Sequence, residues 1–330
     1  MKRICLFAGY DRDGIIDDYV VYYLKSLAEF ADVYYFADCD MKAGELEKLK
    51  PIVCGAYAKR HGRYDFGSWG ELMKLIGFEK LAEYDRLLLV NDSGYGPLHH
   101  FKTMFDEMDS QACDAWAMCG NKFLMSFFIS VNNKIIRDKH FQQIFAHIEP
   151  LANKNLVVHK YERGLSRILS ERGYKFGYYI NPEKVSRFYK ENQAAVRKLL
   201  RENIPFTERL FMEFRPNKVR LYSEDYIVLT MMGMPVLKSM FFKINDNIAA
   251  AYWQKVIVTD GSYPLHLIEN HIRRMKLERP AGEAVRNKLK DKLRRFFYEH
   301  KIKNNRLITK ICKIPVCSRV VTSSLQVSED

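Results

Sequence analysis

The chain has 330 residues, 48 % of them apolar, with 20 Tyr and 21 Phe against 3 Trp, enough to bury a sizeable core and to exclude wholesale disorder. Its +13 charge is concentrated at one end: residues 271–330 hold 16 Lys or Arg against 6 Asp or Glu, whereas residues 1–270 hold 37 against 34. No run of 18 apolar residues predicts a membrane span, and seven scattered cysteines predict neither a disulfide framework nor a zinc site, so a reduced, cytosolic chain is expected.

Arg3 to Gly9 predicts a first strand rather than a signal peptide, because charged residues follow the short apolar run at once. Asp17 to Phe30 predicts a helix with Val20, Leu24, Leu27 and Phe30 on its apolar face and Asp17 or Asp18 at its start. Val33 to Phe36 and Ile52 to Cys54 predict the next strands, with a short helix at Lys42 to Leu49 between them. Trp69 to Ile76 predicts a helix, Arg86 to Val90 the clearest buried strand, and His99 to Met108 a helix begun by Pro97. Strands are expected at Ala115 to Met118, Phe123 to Ser130 and Tyr174 to Ile180. Helices are expected at Asn133 to Ile148, His159 to Arg172 and within Lys184 to Arg201. This alternation predicts an α/β fold with a mixed central sheet.

After residue 250 the texture changes. Leu267 to Leu277 and Ala284 to Phe297 combine helical periodicity with basic charge, which predicts a basic, mainly helical region over 251–330 beside a main domain over 1–250. In LKDKLRRFFYEHKIK, Leu289, Leu293, Phe296 and Phe297 stand among Lys and Arg. That stretch either packs on the body or lies on anionic lipid. No zinc finger, RNP motif or dinucleotide fingerprint supports nucleic acid as its partner. The final SSLQVSED is expected to fray.

Two segments carry most of the chemistry. LLLVNDSGYGPL, Leu87 to Leu98, is an apolar strand that ends in Asn91-Asp92 and a glycine-rich turn. It puts a carboxylate at the C-terminal edge of an α/β sheet, where such folds bind ligands. Asp92 is the candidate to hold a divalent ion, Mg²⁺ or Mn²⁺, or to organise a diphosphate, with Asn91 in support; the rival reading is an Asx turn. YDFGSW, Tyr64 to Trp69, offers Asp65 for a ribose, base or sugar, or as a helix cap, and Trp69 for a sugar face or the core. Arg60, His61 and Arg63 just upstream are candidates for phosphate, with Arg63 assigned to donor binding. At the end of the first strand, Asp11 is a nucleotide-binding candidate and Tyr10 a stacking one; Asp38 and Asp40 have a weaker case. Glu162, in HKYERGLSRILSERG, is the candidate general base, with a helix-terminal salt bridge as the alternative and His159 as the runner-up. Lys238, amid apolar residues in GMPVLKSMFFK, is a candidate for a diphosphate or lipid contact or a snorkelled side chain.

FAGYD (Phe7 to Asp11), IIDDYVVYYLKSL (Ile15 to Leu27), YDFGSW and LLLVNDSGYGPL with FKTMFDEM together resemble the rhamnan synthesis protein F family of bacterial polysaccharide-assembly glycosyltransferases. NKFLMSFFIS (Asn121 to Ser130) and GMPVLKSMFF (Gly233 to Phe242) extend the likeness over about residues 1–245. The resemblance implies a GT-A-like, Rossmann-like nucleotide-sugar-binding fold. It implies inverting transfer from a dTDP- or UDP-sugar, with dTDP-L-rhamnose as the candidate donor, to a growing glycan or lipid-linked glycan of capsule or lipopolysaccharide. It favours Asp65, Asn91 and Asp92 as site residues and Glu162 as base, although the acidic pair of such helices is Glu162-Arg163 here. The expected place of action is the cytoplasmic face of the cell membrane, reached peripherally through the basic region. A noncatalytic glycan-binding or assembly module is the alternative.

Overall fold

The computed structural model describes residues 1–320 except 216, 218, 279, 281, 304, 305, 312 and 313, with side chains described through residue 290. The expected frayed end and the side chains of Leu293, Phe296 and Phe297 lie outside the described residues.

The main strands are β1 (Arg3–Gly9), β2 (Asp32–Ala37), β3 (Gly55–Ala58), β4 (Arg86–Asn91), β5 (Gly94–Tyr95), β6 (Ala115–Cys119), β7 (Phe128–Asn132), β8 (Phe176–Ile180) and β9 (Leu237–Lys238). Seven of them form one sheet in the order β3–β2–β1–β4–β7–β6–β8. β7 runs antiparallel to both β4 and β6, and the other pairings are parallel. This is the expected mixed central sheet of an α/β fold. The apolar runs of β1 and β4 follow from their central position: Cys5, Phe7, Leu88 and Val90 enter one core, and Ile4, Leu6, Leu87 and Leu89 the other. Helix Asp18–Ala28 covers the first face with Tyr19, Val20, Tyr23, Leu24 and Leu27. Helix Tyr64–Ile76 covers the second with Phe66, Trp69, Leu72 and Met73. Their i, i+3, i+4 spacing is what one face of a helix needs.

Several boundaries differ from the sequence reading. The third strand is Gly55–Ala58, not Ile52 to Cys54, because the N–H groups of Ile52 and Val53 turn back to the Leu49 carbonyl. Lys42 to Leu49 yields only a 3₁₀ turn at Leu46–Leu49. β7 begins at Phe128, since residues 121–127 form a loop pinned by a Gly120–Leu124 bridge. The 133–148 helix is two, Asn133–Ile136 and Lys139–Ala146, the second started by Asp138 accepting from the His140 N–H. Pro97 starts no helix; His100 caps Phe101–Asp109. The 159–172 helix opens with a π-type turn, Val158–Glu162, before Arg163–Glu171.

Trp253, Val256, Leu267, Ile268, Ile272 and Ala284 belong to the same core as Cys5 and Phe7, so these residues are built into the body. Helices His266–Arg274 and Glu283–Phe297 fall where periodicity placed them, and strands Tyr298–Lys303, Arg306–Ile311 and Ile314–Val320 add a small antiparallel sheet. Among the described residues, no helix is long and apolar enough to cross a membrane.

Candidate active site

The start of helix Tyr64–Ile76 is organised from another strand. Asp38, just past β2 and 7 % exposed, accepts the backbone N–H groups of His61, Gly62, Arg63 and Tyr64 at 2.7–3.0 Å. One carboxylate thus meets donors that a helix start leaves without intrahelical partners. It also holds Tyr64 in a left-handed conformation, φ 55°, uncommon for a residue with a side chain. Gly67 is required by the same packing, since a Cβ there would lie 2.4 Å from Arg63 Cβ and 2.6 Å from the His61 ring. With Asp38 as cap, Asp65 is left in the first turn, where the helix dipole favours its charge, and it lines the cleft.

At the end of β4, Asn91 is buried and donates from Nδ2 to Asp65 Oδ2 at 2.6 Å. Asp92 Oδ2 accepts the Tyr10 N–H at 2.6 Å, and the Asp92 carbonyl accepts the Tyr19 hydroxyl at 3.0 Å. Desolvation first, and then the Asp65 charge, push the Asp92 pKa up to about 7 against the Tyr10 N–H and Lys238. The pairing of β5 with β9 sets Gly94 opposite Lys238 and brings the lysine amine onto Ser93 Oγ. Gly94 is needed there, because a Cβ would lie 2.4 Å from Val236. Burial first, then Lys154, lower the Lys238 pKa to about 7, opposed by Asp65, Glu162 and Asp92.

The loop after β1 is held from the far end of the chain. Asp11 accepts from the Asp13 and Ile15 N–H groups, and its second oxygen pairs with Arg274. Arg274 also pairs with Asp13 and Asp17. One turn earlier, His271 meets the Tyr95 hydroxyl through Nδ1 at 2.7 Å. Burial first, then Arg274 and Lys243, lower its pKa to about 4, so it is neutral at pH 7.

These groups surround a cleft of about 630 Å³ at the C-terminal ends of β1, β2 and β4. Tyr10, Asp11, Asp65 and Asp92 line it, together with Tyr64, Lys154, Lys243 and His271. Asn91 supports it from beneath. The structure does not bring Arg63 into it: that guanidinium pairs with Glu71 at 2.6 Å. Nor does it offer Trp69, which is fully buried and donates to the Val90 carbonyl at 3.0 Å. His61 packs against Asp38 and Ser68, and Arg60 lines the cleft while paired with Asp40. Glu162 lies in a small adjoining cavity of about 40 Å³ that shares Tyr64, Asp65 and Lys154 with the cleft. Its Oε2 accepts the Ser126 N–H at 2.8 Å and the Ser126 hydroxyl.

Lys154, Lys243 and His271 escaped the sequence reading. Nothing local marks them; His271 meets Tyr95 across 176 residues of sequence. For a divalent ion, the fit rests on Asp92 and Asp65, close enough for the Asp65 charge to be felt at Asp92. Among the described residues no three His, Cys, Asp or Glu side chains gather as a metal group. Two carboxylates beside a phosphate-bearing ligand suit Mg²⁺, which keeps few protein ligands.

A profile of the family described as rhamnan synthesis protein F matches residues 36–310. No curated protein matches the chain. Among solved structures, the apo form of the glycosyltransferase GlyE from Streptococcus pneumoniae TIGR4 is 11 % identical, with a TM-score of 0.37 over 85 % of this chain and 65 % of that one. A protein from Desulfovibrio desulfuricans G20 described as a nucleotide-diphospho-sugar transferase is 12 % identical, with a TM-score of 0.33 over 55 % of this chain and 80 % of that one. A cytidylyltransferase from Leptospira borgpetersenii serovar Hardjo-bovis is 12 % identical, with a TM-score of 0.35 over 55 % and 76 %. These likenesses are distant.

Proposed function

Because the chain belongs to the rhamnan synthesis protein F family, we propose that it is a nucleotide-sugar-dependent glycosyltransferase of cell-surface polysaccharide assembly. The observation that carries this reading is the cleft at the carboxyl edge of the sheet. There Asp65, Asn91 and Asp92 meet the β1 loop, beside Lys154 and Lys243. A dTDP- or UDP-sugar fits its size and charge: tyrosines Tyr10 and Tyr64 for the base, lysines for the diphosphate, carboxylates for sugar hydroxyls. L-Rhamnose is the proposed sugar, on the family's description.

Asp92 and Asp65 would hold a divalent cation, Mg²⁺ or Mn²⁺, whose charge offsets that of the departing nucleoside diphosphate. Lys154 and Lys243 add positive charge on the same side. Glu162 is the proposed base for inversion, taking the acceptor hydroxyl proton as the anomeric carbon is attacked. Its contact with the Ser126 hydroxyl supports this role, since the carboxylate already accepts an O–H beside Asp65. The acceptor is a growing or lipid-linked glycan. The basic C-terminal region is the proposed contact with the anionic inner face of the membrane.

Calorimetry with dTDP-sugars, UDP-sugars and free nucleotides, with and without Mg²⁺ or Mn²⁺, tests the reading. Selective binding that Asp92→Ala weakens at least about tenfold is expected. Folded wild-type protein that binds no nucleotide would transfer the assignment to a noncatalytic glycan-assembly module.

A further inference from the structure

We propose that Lys238 is a positioning residue of this cleft: it sets the direction of a hydrogen-bond chain that runs from its amine through Ser93 and Asn91 to Asp65. The proposal rests on the donor-site reading for its consequence, though not for its geometry.

Lys238 stands 145 residues from Ser93 in sequence and reaches it because β9 pairs with β5, Lys238 opposite Gly94. The Ser239 N–H donates to the Ser93 carbonyl at 2.9 Å, so backbone and side chain hold the same residue. The amine also lies over the Phe127 ring, 4.7 Å from its centroid, which fixes it from a second side. Lys238 itself is not among the residues lining the cleft, whereas Ser93 and Asp65 are.

The polarity of the chain follows from donor and acceptor counting. A protonated lysine amine carries three N–H donors and no lone pair, so Ser93 Oγ accepts from charged Lys238. The single hydroxyl proton of Ser93 then goes to Asn91 Oδ1, which also takes the Ser93 N–H at 3.2 Å. With Oδ1 committed, Nδ2 is the group turned to Asp65 Oδ2, at 2.6 Å. An Asn91 amide turned the other way would set oxygen against oxygen at Asp65 and nitrogen against a donor at Ser93. Lys238 therefore acts on Asp65 without touching it. Asp65 lines both the cleft and the small cavity with Glu162, so its aim bears on both sides of the proposed reaction.

The test compares Lys238→Met, Lys238→Arg, Ser93→Ala and the K238M/S93A double variant. In ligand-free protein, solvent exchange of the Asn91 side-chain amide protons is read by NMR. We expect it to speed up at least about tenfold in K238M and S93A and to return toward wild type in K238R, which keeps a donor. With dTDP- and UDP-sugars as probes, donor affinity or kcat falls about 10- to 100-fold in each single variant, as for lost supporting contacts elsewhere. The double variant is no worse than either single one, because both cut the same chain. Unchanged Asn91 exchange in folded K238M overturns the proposal, as does additive loss in the double variant. If wild-type protein binds no nucleotide-sugar, the donor reading fails, while the Asn91 exchange alone still decides the relay.

Discussion

Asp92 is held where its charge is costly. Its carboxyl ionises near pH 7 in the folded chain, raised first by desolvation, against about 3.9 in an unfolded one. A raised carboxyl pKa costs no stability below pH 4, costs progressively more as pH rises toward 7, and levels off above it. Asp92→Asn keeps an acceptor for the Tyr10 N–H and removes that cost. The variant is therefore expected to unfold about 1–3 kcal/mol later than wild type at pH 8 and to show no gain at pH 4, while losing transfer. Urea unfolding at the two pH values measures this; equal stabilities at pH 8 would contradict it. Asp38 shows the opposite use of a carboxylate. Four backbone N–H groups occupy it, so it builds the site by freeing Asp65 from capping.

At the scale of elements, helix His266–Arg274 matters most. Sequence periodicity located it, and its position against the loop after β1 came from elsewhere. Arg274 fastens it to Asp11, Asp13 and Asp17, and His271 seats it on Tyr95 and Tyr19. The His271 pKa is depressed to about 4, so its contribution is fully present above about pH 6.5 and is lost as pH falls toward 4. The facing groups are Arg274, Lys243, Asp11 and Asp17. His271→Gln keeps an acceptor for Tyr95 without titrating. Between pH 7 and pH 4, wild type is expected to lose about 2–3 kcal/mol more stability than this variant. Parallel losses in denaturant unfolding would show that His271 is not the acid-sensitive group.

For the whole molecule, the basic end divides into two parts. Leu267, Ile268, Ile272 and Ala284 are core, and Lys288 pairs with the buried Glu224. Beyond Lys290 the chain still holds nine Lys or Arg against four Asp or Glu. Truncation after Lys290 is expected to leave the melting temperature and nucleotide binding near wild type. It is also expected to weaken binding to anionic vesicles at least about tenfold, at about 1 kcal/mol for each basic residue brought near the surface. Unchanged vesicle cosedimentation would reject the membrane role. Cutting after Glu269 would be a different experiment, since it removes His271 and Arg274 and opens the cleft.

The apolar runs of β1 and β4, the helix face of Val20, Leu24 and Leu27 and the Asn91-Asp92 edge were legible because each depends on period or on immediate neighbours. Asp11 and Tyr10, which line the cleft, follow the rule that ligands gather where strands end, whereas Asp65 was singled out from YDFGSW and the family resemblance. Arg63 falls outside the cleft and Trp69 takes the core rather than the sugar-face alternative, because a side chain's partner, Glu71 or the Val90 carbonyl, is chosen by packing. Sequence by itself determined the α/β class, the family and the edge of the sheet that carries the carboxylates. Only tertiary structure decided that Lys238 lies against Ser93, that His271 lines the cleft while Arg274 holds the loop after β1, and that Glu162 stands in a side cavity. Those contacts join residues far apart in the chain, and their energies appear only once the strands have paired and the helices have closed on them.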